Sequence, residues 1–173
     1  VSQTTDLSMP IVGGAITVTR SYSSTRLIDG IFGVGQSSIL HSRLYYARYL
    51  FAAPSTYRNV ADVVMPDGKH YRFVEEVPGQ FTPPPTRSDL LVRTGNGAFD
   101  LHLQQSRTVY HYGPDGSLAT ITDDAGNVTS FTSDGSGRIS RIADSGGSGR
   151  YVDVYWGANG RIAYQHSSSP GRR

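Results

Sequence analysis

No cysteine occurs among the 173 residues, which excludes a disulfide framework, thiol catalysis and cysteine-ligated zinc together. Lysine and glutamate are nearly missing as well: Lys69 is the single lysine, and Glu75 and Glu76 are the only glutamates. Both residue types favour helices, so their scarcity argues against a helical fold. No apolar run reaches the roughly 18 residues of a membrane helix. The start lacks the basic region and apolar core of a secretory signal. Val1 at one end and Ser167-Ser-Ser-Pro-Gly-Arg-Arg173 at the other give the expectation of an excised segment whose targeting signal lies elsewhere.

What is present points the same way. The charged residues are almost all arginine and aspartate, and aspartate suits turns because its side chain bonds its own backbone. With 20 glycines and 11 tyrosines, the composition favours strands joined by tight turns. The isoelectric point is near 9.0, yet the formal charge of +2 vanishes once Arg172 and Arg173 are set aside. The remaining basic residues, among them Arg20, Arg43, Arg72, Arg107, Arg138 and Arg161, are strewn along the chain. Nucleic-acid binders concentrate theirs on one face, so no nucleic-acid partner is expected. A chain of this length buries roughly 70% of its unfolded surface as one domain.

Alternation from Ile16 to Tyr22 predicts a half-buried strand. Gly30 to Gly35 reads as a glycine-rich loop, and residues 38–51 as apolar chain of strand or helix type, read here as strand. Asp62 to Met65 and His70 to Val74 flank Pro66-Asp-Gly68, which predicts a hairpin. Pro83-Pro-Pro85 lacks three N–H donors and so belongs in a surface loop. Strand-like runs return at Leu90 to Arg93, Ala98 to Leu103 and Thr108 to Tyr112.

Beyond Tyr112 the chain repeats itself. Gly116, Leu118, Ile121, Asp123 and Gly126 recur 21 residues later as Gly137, Ile139, Ile142, Asp144 and Gly147, with Arg138 beside the second glycine. A looser third start is Gly160-Arg161-Ile162. Twenty-one residues accommodate two short strands and two turns, so each copy reads as a hairpin that is stable only when stacked on its neighbours. Leu118 and Ile121 are three apart, which strict alternation would place on opposite faces. A bulge, or cover on both sides of the sheet, would reconcile them.

Tyr112-Gly-Pro-Asp-Gly-Ser-Leu118, Ile121-Thr-Asp-Asp-Ala-Gly-Asn127, Gly137-Arg-Ile139 and Tyr155-Trp-Gly-Ala-Asn-Gly-Arg-Ile162 resemble the RHS or YD repeats of large bacterial proteins. Upstream, Thr19-Arg-Ser-Tyr-Ser-Ser24 and Phe32-Gly-Val-Gly35 resemble the segment that leads into such repeats. The resemblance implies a β-ribbon that spirals into a hollow shell, which in the bacterial toxins encloses a variable effector. It departs from the family pattern at Gln36, at Phe131-Thr132 and at Tyr155-Trp156.

Residue chemistry adds no reactive site. No Asp-Pro occurs, and Asp123 and Asp124 sit in a turn, where aspartate belongs for local bonding. The histidines at 41, 70, 102, 111 and 166 lack helical metal spacing. His102 and His111, with Asp100 nearby, could meet across a hairpin, though a wall histidine is the simpler reading. Gly146-Gly-Ser-Gly-Arg-Tyr151 nearly follows a calcium-binding turn but places Tyr151 where the carboxylate should be. No catalytic residue, cofactor or metal is therefore expected. Tyr45, Tyr46, Tyr49, Tyr110, Tyr112, Tyr151, Tyr155 and Trp156 are either cross-strand packing or a stacking surface. Tyr151, Tyr155 and Trp156 are the binding candidates for the second case.

The expected fold is all-β, a curved and mostly antiparallel sheet of roughly ten to twelve short strands. Residues 1–15 are read as a leader, 16–112 as the lead-in β segment, 113–165 as the repeats and 166–173 as a disordered tail. The expected function is a structural arc of an RHS-like shell, secreted or surface-displayed by a bacterium for toxin delivery or contact-dependent competition. Its partners would be the remainder of that chain or its toxin cargo, with no membrane insertion. The alternative is an adhesive module for a glycan or surface protein. Exposed strand edges near Ile16 to Tyr22 or Tyr151 to Tyr164 would favour pairing with a second copy.

Overall fold

Backbone alternation and glycine-bearing turns together produce a meander. In the computed structural model, which describes residues 2–11, 14–24, 29–30, 32–52 and 56–168, seventeen strands follow one another with a single turn of 3-10 helix at Ile39–His41. They are β1 (Ser2–Ile11), β2 (Gly14–Tyr22), β3 (Asp29–Gly30), β4 (Gly33–Val34), β5 (Gln36–Ser37), β6 (Arg43–Ala52), β7 (Thr56–Val64), β8 (His70–Val77) and β9 (Gln80–Thr82). Then come β10 (Leu90–Arg93), β11 (Phe99–Leu103), β12 (Thr108–Tyr112), β13 (Leu118–Thr122), β14 (Val128–Ser133), β15 (Ile139–Asp144), β16 (Tyr151–Trp156) and β17 (Ile162–Ser168). The fold is all-β, as the composition implied.

Strands β6 to β17 form one 12-stranded sheet in unbroken sequence order, and every pairing is antiparallel. The sheet does not close, because β6 and β17 lie at opposite ends of that order. A second sheet of order β1-β2-β5 supplies Met9, Ile16 and Val18 to the same core as Leu44, Val63, Phe73, Leu101, Tyr112, Ile142 and Val152. The molecule thus has two layers around one apolar interior, the usual way for a one-sided sheet to bury its face.

Several sequence expectations need correction. Within the stretch read as a leader, Ser2–Ile11 pairs with β2 along its length, and Met9 opposite Ile16 enters the core. The expected tail begins inside β17, which runs to Ser168, while 169–173 lie outside the described residues. Ile16 to Tyr22 pairs with β1 along one side, and on the other side β5 covers only Ser21 and Tyr22. Within Tyr151 to Tyr164, β16 is internal, and among the described residues only β17 is an edge there. The stretch at 38–51 is mainly strand, as read, with the short 3-10 turn before it. Ser38 starts that turn with a capping box, its hydroxyl accepting from the Leu40 N–H and its N–H donating to His41 Nδ1.

Candidate functional site

Six hairpin turns share one design. In each, the first residue donates its N–H to the carbonyl four residues on, and a glycine three residues on donates back to the first residue's carbonyl. These are the turns starting at Met65, Thr94, Gly113, Asp123, Asp134 and Gly157. Their glycines, Gly68, Gly97, Gly116, Gly126, Gly137 and Gly160, all have φ between +74 and +85°. This is the three-residue hairpin loop with a left-handed residue at its bulge, a place for glycine. The residue before or near that glycine is Asp or Asn, and its side chain accepts backbone N–H groups: Asp115 from Ser117, Asp134 from Ser136 and Arg138, Asn159 from Arg161.

The repeat spacing has a second cause. Tyr112 faces Leu118 while His111 faces Thr120, which leaves Ala119 as an extra residue. Ser133 faces Ile139 while Thr132 faces Arg141, leaving Ser140 over, and Trp156 faces Ile162 while Tyr155 faces Tyr164, leaving Ala163 over. A bulge thus follows the turn in every copy, and in the first two it returns the apolar residue three positions on to the inner face. Leu118, Ile139 and Ile142 are buried, and Ile121 and Ile162 pack on the same core. The bulge is the answer to the three-residue spacing.

The turns at Gly113, Asp134 and Gly157 fall at one end of the sheet, and the start of β6 lies across the first two. Leu44 donates its N–H to the Gly116 carbonyl at 2.9 Å, and Arg43 bridges to Ser117. The Arg43 guanidinium donates to the Gly137 carbonyl at 3.1 Å and the Asp115 carbonyl at 3.2 Å. One arginine therefore ties two successive repeats together at their turns. A side chain at Gly116 would collide with the Leu44 carbonyl oxygen, whereas one at Gly137 would meet only the Arg43 guanidinium. Ser42 and Tyr112 share a buried hydroxyl hydrogen bond of 3.0 Å beneath this junction. Burial holds the Tyr112 phenol well above its ordinary range.

At the other end, Asp123 accepts from the Ala125 and Asn127 N–H groups and from the Asn127 amide, which hold its carboxyl below the usual range, the Asn127 side chain foremost. Asp144 is lowered by hydrogen bonds from Ser148 and from the Gly146 N–H. Around Gly126 and Gly147 there is open space. Asp123 is thus occupied by its own turn, and Asp124 beside it is exposed.

Aromatic rings meet the chain's own cations. Arg20 lies over Phe32, Arg43 over Tyr45, Arg48 over Tyr57, Arg58 over Phe51, Arg72 over Tyr49, Arg87 over Tyr71, Arg93 over Tyr46 and Phe99, Arg138 over Trp156 and Arg141 over Tyr151, all at 4.1–5.9 Å from the ring centre. A chain of this size ordinarily carries about two such pairs. Six of these arginines also bridge to a carboxylate, Asp6, Glu76, Asp62, Asp89, Asp134 or Asp153. Only guanidinium combines a flat stacking face with forked donors, which accounts for arginine in place of lysine.

Among the sequence-predicted binding residues, Tyr151 is half-buried under Arg141, and Trp156 is pinned by its indole N–H to the Ile139 carbonyl at 2.9 Å. Tyr155 is 42% exposed and borders an open groove of about 550 Å³ with Asp134, Arg138, Arg141 and Asp153. Trp156 lines the same groove, and Tyr151 does not. His111 meets Asp100 at 2.5 Å across β11 and β12, but His102 faces Val109 instead. Among the described residues no three metal-binding side chains converge, and every buried side-chain nitrogen and oxygen has a partner.

Sequence reasoning missed Arg43, Leu44 and Glu75. Glu75 accepts from the Tyr46 hydroxyl at 2.6 Å, the Asn59 amide at 2.7 Å and the Gly79 N–H at 2.7 Å. Burial pushes its carboxyl up, but these donors outweigh it and leave the group below its ordinary value. The rarity of glutamate in the chain was the one available signal for it. With this geometry in hand, comparison with known proteins adds no kinship: no family model and no curated protein matches the chain.

Proposed function

We propose that this chain is a structural wall module of RHS or YD-repeat type, part of a secreted or surface-displayed bacterial β-shell used in toxin delivery or contact-dependent competition. The observation that carries the reading is the recurrence of one turn and one bulge at equivalent positions, with Arg43 tying Gly137 and Asp115 together. Such a unit gains stability from its neighbours. Arginines of the chain itself already stack on many of its rings. The partners of this reading are the remainder of a shell chain and the cargo it encloses.

A second reading, an adhesive module for a glycan or a surface protein, rests on exposed Tyr155 and the groove beside it. Tyrosine nitration combined with a glycan-array screen separates the two. The wall reading expects slow nitration of buried Tyr112 and of half-buried Tyr46, Tyr71, Tyr110 and Tyr151, and a silent array. A glycan bound by the intact chain and released by Tyr155→Ala would replace it with the adhesive reading.

A further inference from the structure

The edge of β6 is built differently from the rest of the ribbon. Its first two residues are held by the Gly113 turn, and from Tyr45 onward the side away from β7 has no strand beside it among the described residues. Leu44 donates away from β7, to the Gly116 carbonyl, and the β6–β7 register is unbroken from Arg43 to Leu50. By the alternation of a strand, the N–H and C=O groups of Tyr46 and Arg48 therefore also point to this open edge. Tyr45, Tyr49 and Leu50 are 54%, 41% and 54% exposed. The run from Tyr45 to Ala52 contains no lysine or proline, two residues that natural edges use to refuse a partner. An open groove of about 730 Å³, bordered by Tyr45, Tyr49, Asp62 and Arg72, leaves room beside it.

We infer that this edge pairs antiparallel with β6 of a second copy of the chain, about a two-fold axis at Ala47. The register follows from self-complementarity. With Ala47 opposite the partner's Ala47, Tyr46 and Arg48 exchange backbone hydrogen bonds with the partner's Arg48 and the partner's Tyr46. Tyr45 then faces the partner's Tyr49 on one side of the joined sheet, an aromatic pair of the kind that stabilises antiparallel strands. On the other side, Arg48 faces the partner's Tyr46. Moving the axis to Arg48 would set two guanidiniums opposite each other, which is unfavourable. The small side chain of Ala47 suits the close approach at the axis, a pair without backbone hydrogen bonds. The interface is short, so it belongs to the weak, concentration-dependent class. This inference depends on β6 alone and is independent of the wall reading.

The absence of cysteine supplies a direct test. Ala47→Cys introduces a single thiol at the axis, and directly opposed residues of this type lie within disulfide reach. Mild oxidation should convert the variant to a covalent dimer much faster than it does a control variant, Ser136→Cys, whose thiol sits at an exposed turn. Arg48→Pro removes an edge-facing donor from both copies while leaving the β7 ladder intact, and should weaken dimerisation at least about tenfold in sedimentation experiments. Ala47→Lys should do the same by like-charge repulsion, and serves if the proline variant fails to fold. A native chain that stays monomeric at millimolar concentration would overturn the inference. So would a dimer that ignores both variants and forms without crosslinking through the thiol introduced at position 47.

Discussion

The two ends of the main sheet put similar hairpin chemistry to different uses. At the end carrying Gly116 and Gly137, turn backbones are partners for β6, and an arginine from far away in sequence stitches one repeat to the next. At the end carrying Gly126 and Gly147, aspartate-supported turns with left-handed glycines face open space. Local sequence specifies a turn equally well in both places. Only tertiary contact decides whether that turn merely reverses the chain or also holds the structure together.

Substitution separates the two roles. Gly116→Ala adds a left-handed strain and a clash with the Leu44 carbonyl that backbone cannot easily relieve, so a loss above about 3 kcal/mol is expected in urea unfolding. Arg43→Ala removes two hydrogen bonds between repeats and should cost about 1–2 kcal/mol by the same measurement. Gly126→Ala, with the same backbone strain but no neighbour, should cost only about 1 kcal/mol. Equal losses at Gly116 and Gly126 would erase the distinction between the ends.

Acid sharpens it further. Burial lowers His41, next to the start of β6, and Ser38 donates to its neutral ring. A base with a lowered folded value gives stability that is complete above its unfolded value of about 6.5 and is lost as pH falls from there toward the folded value. Asp115 is lowered by Ser117; Asp134 is raised by burial but lowered overall by the Arg138 donors; Asp123 and Asp144 are lowered as described. Their stability is present above about pH 3.9 and is lost as pH falls through their lowered folded values. Chemical denaturation across pH should therefore show a small decline just below about 6.5 that His41→Asn abolishes, and a second decline below about 4 that it leaves in place.

Turn and strand chemistry was legible in the sequence because it is local. Pro66-Asp-Gly68 forms its hairpin, and the repeated glycines sit where the repeat put them. The three-residue spacing of Leu118 and Ile121 called for a bulge or for cover on both sides of the sheet, and a bulge is what the register shows. The Arg43 contacts were not legible, for they join residues 72 and 94 positions apart and leave no trace in the neighbours of Arg43. The pairing of Ser2–Ile11 was not legible because its exposed face is polar, and its place depends on Ile16 and Val18 of β2 reaching a core made elsewhere. The ring-covering arginines were visible only as a bias in composition until the register aligned them.

Native-state amide exchange at Gly116 and Gly126 tests the central claim most directly, since both glycines donate in turns of the same design. If the repeat is a building unit clamped at one end, the Gly116 amide should exchange only with global unfolding, and the Gly126 amide through local opening at much lower free energy. Equal, low protection at both would mean that β6 does not hold the turns, and that the repeated phrase is not the joint on which this fold rests.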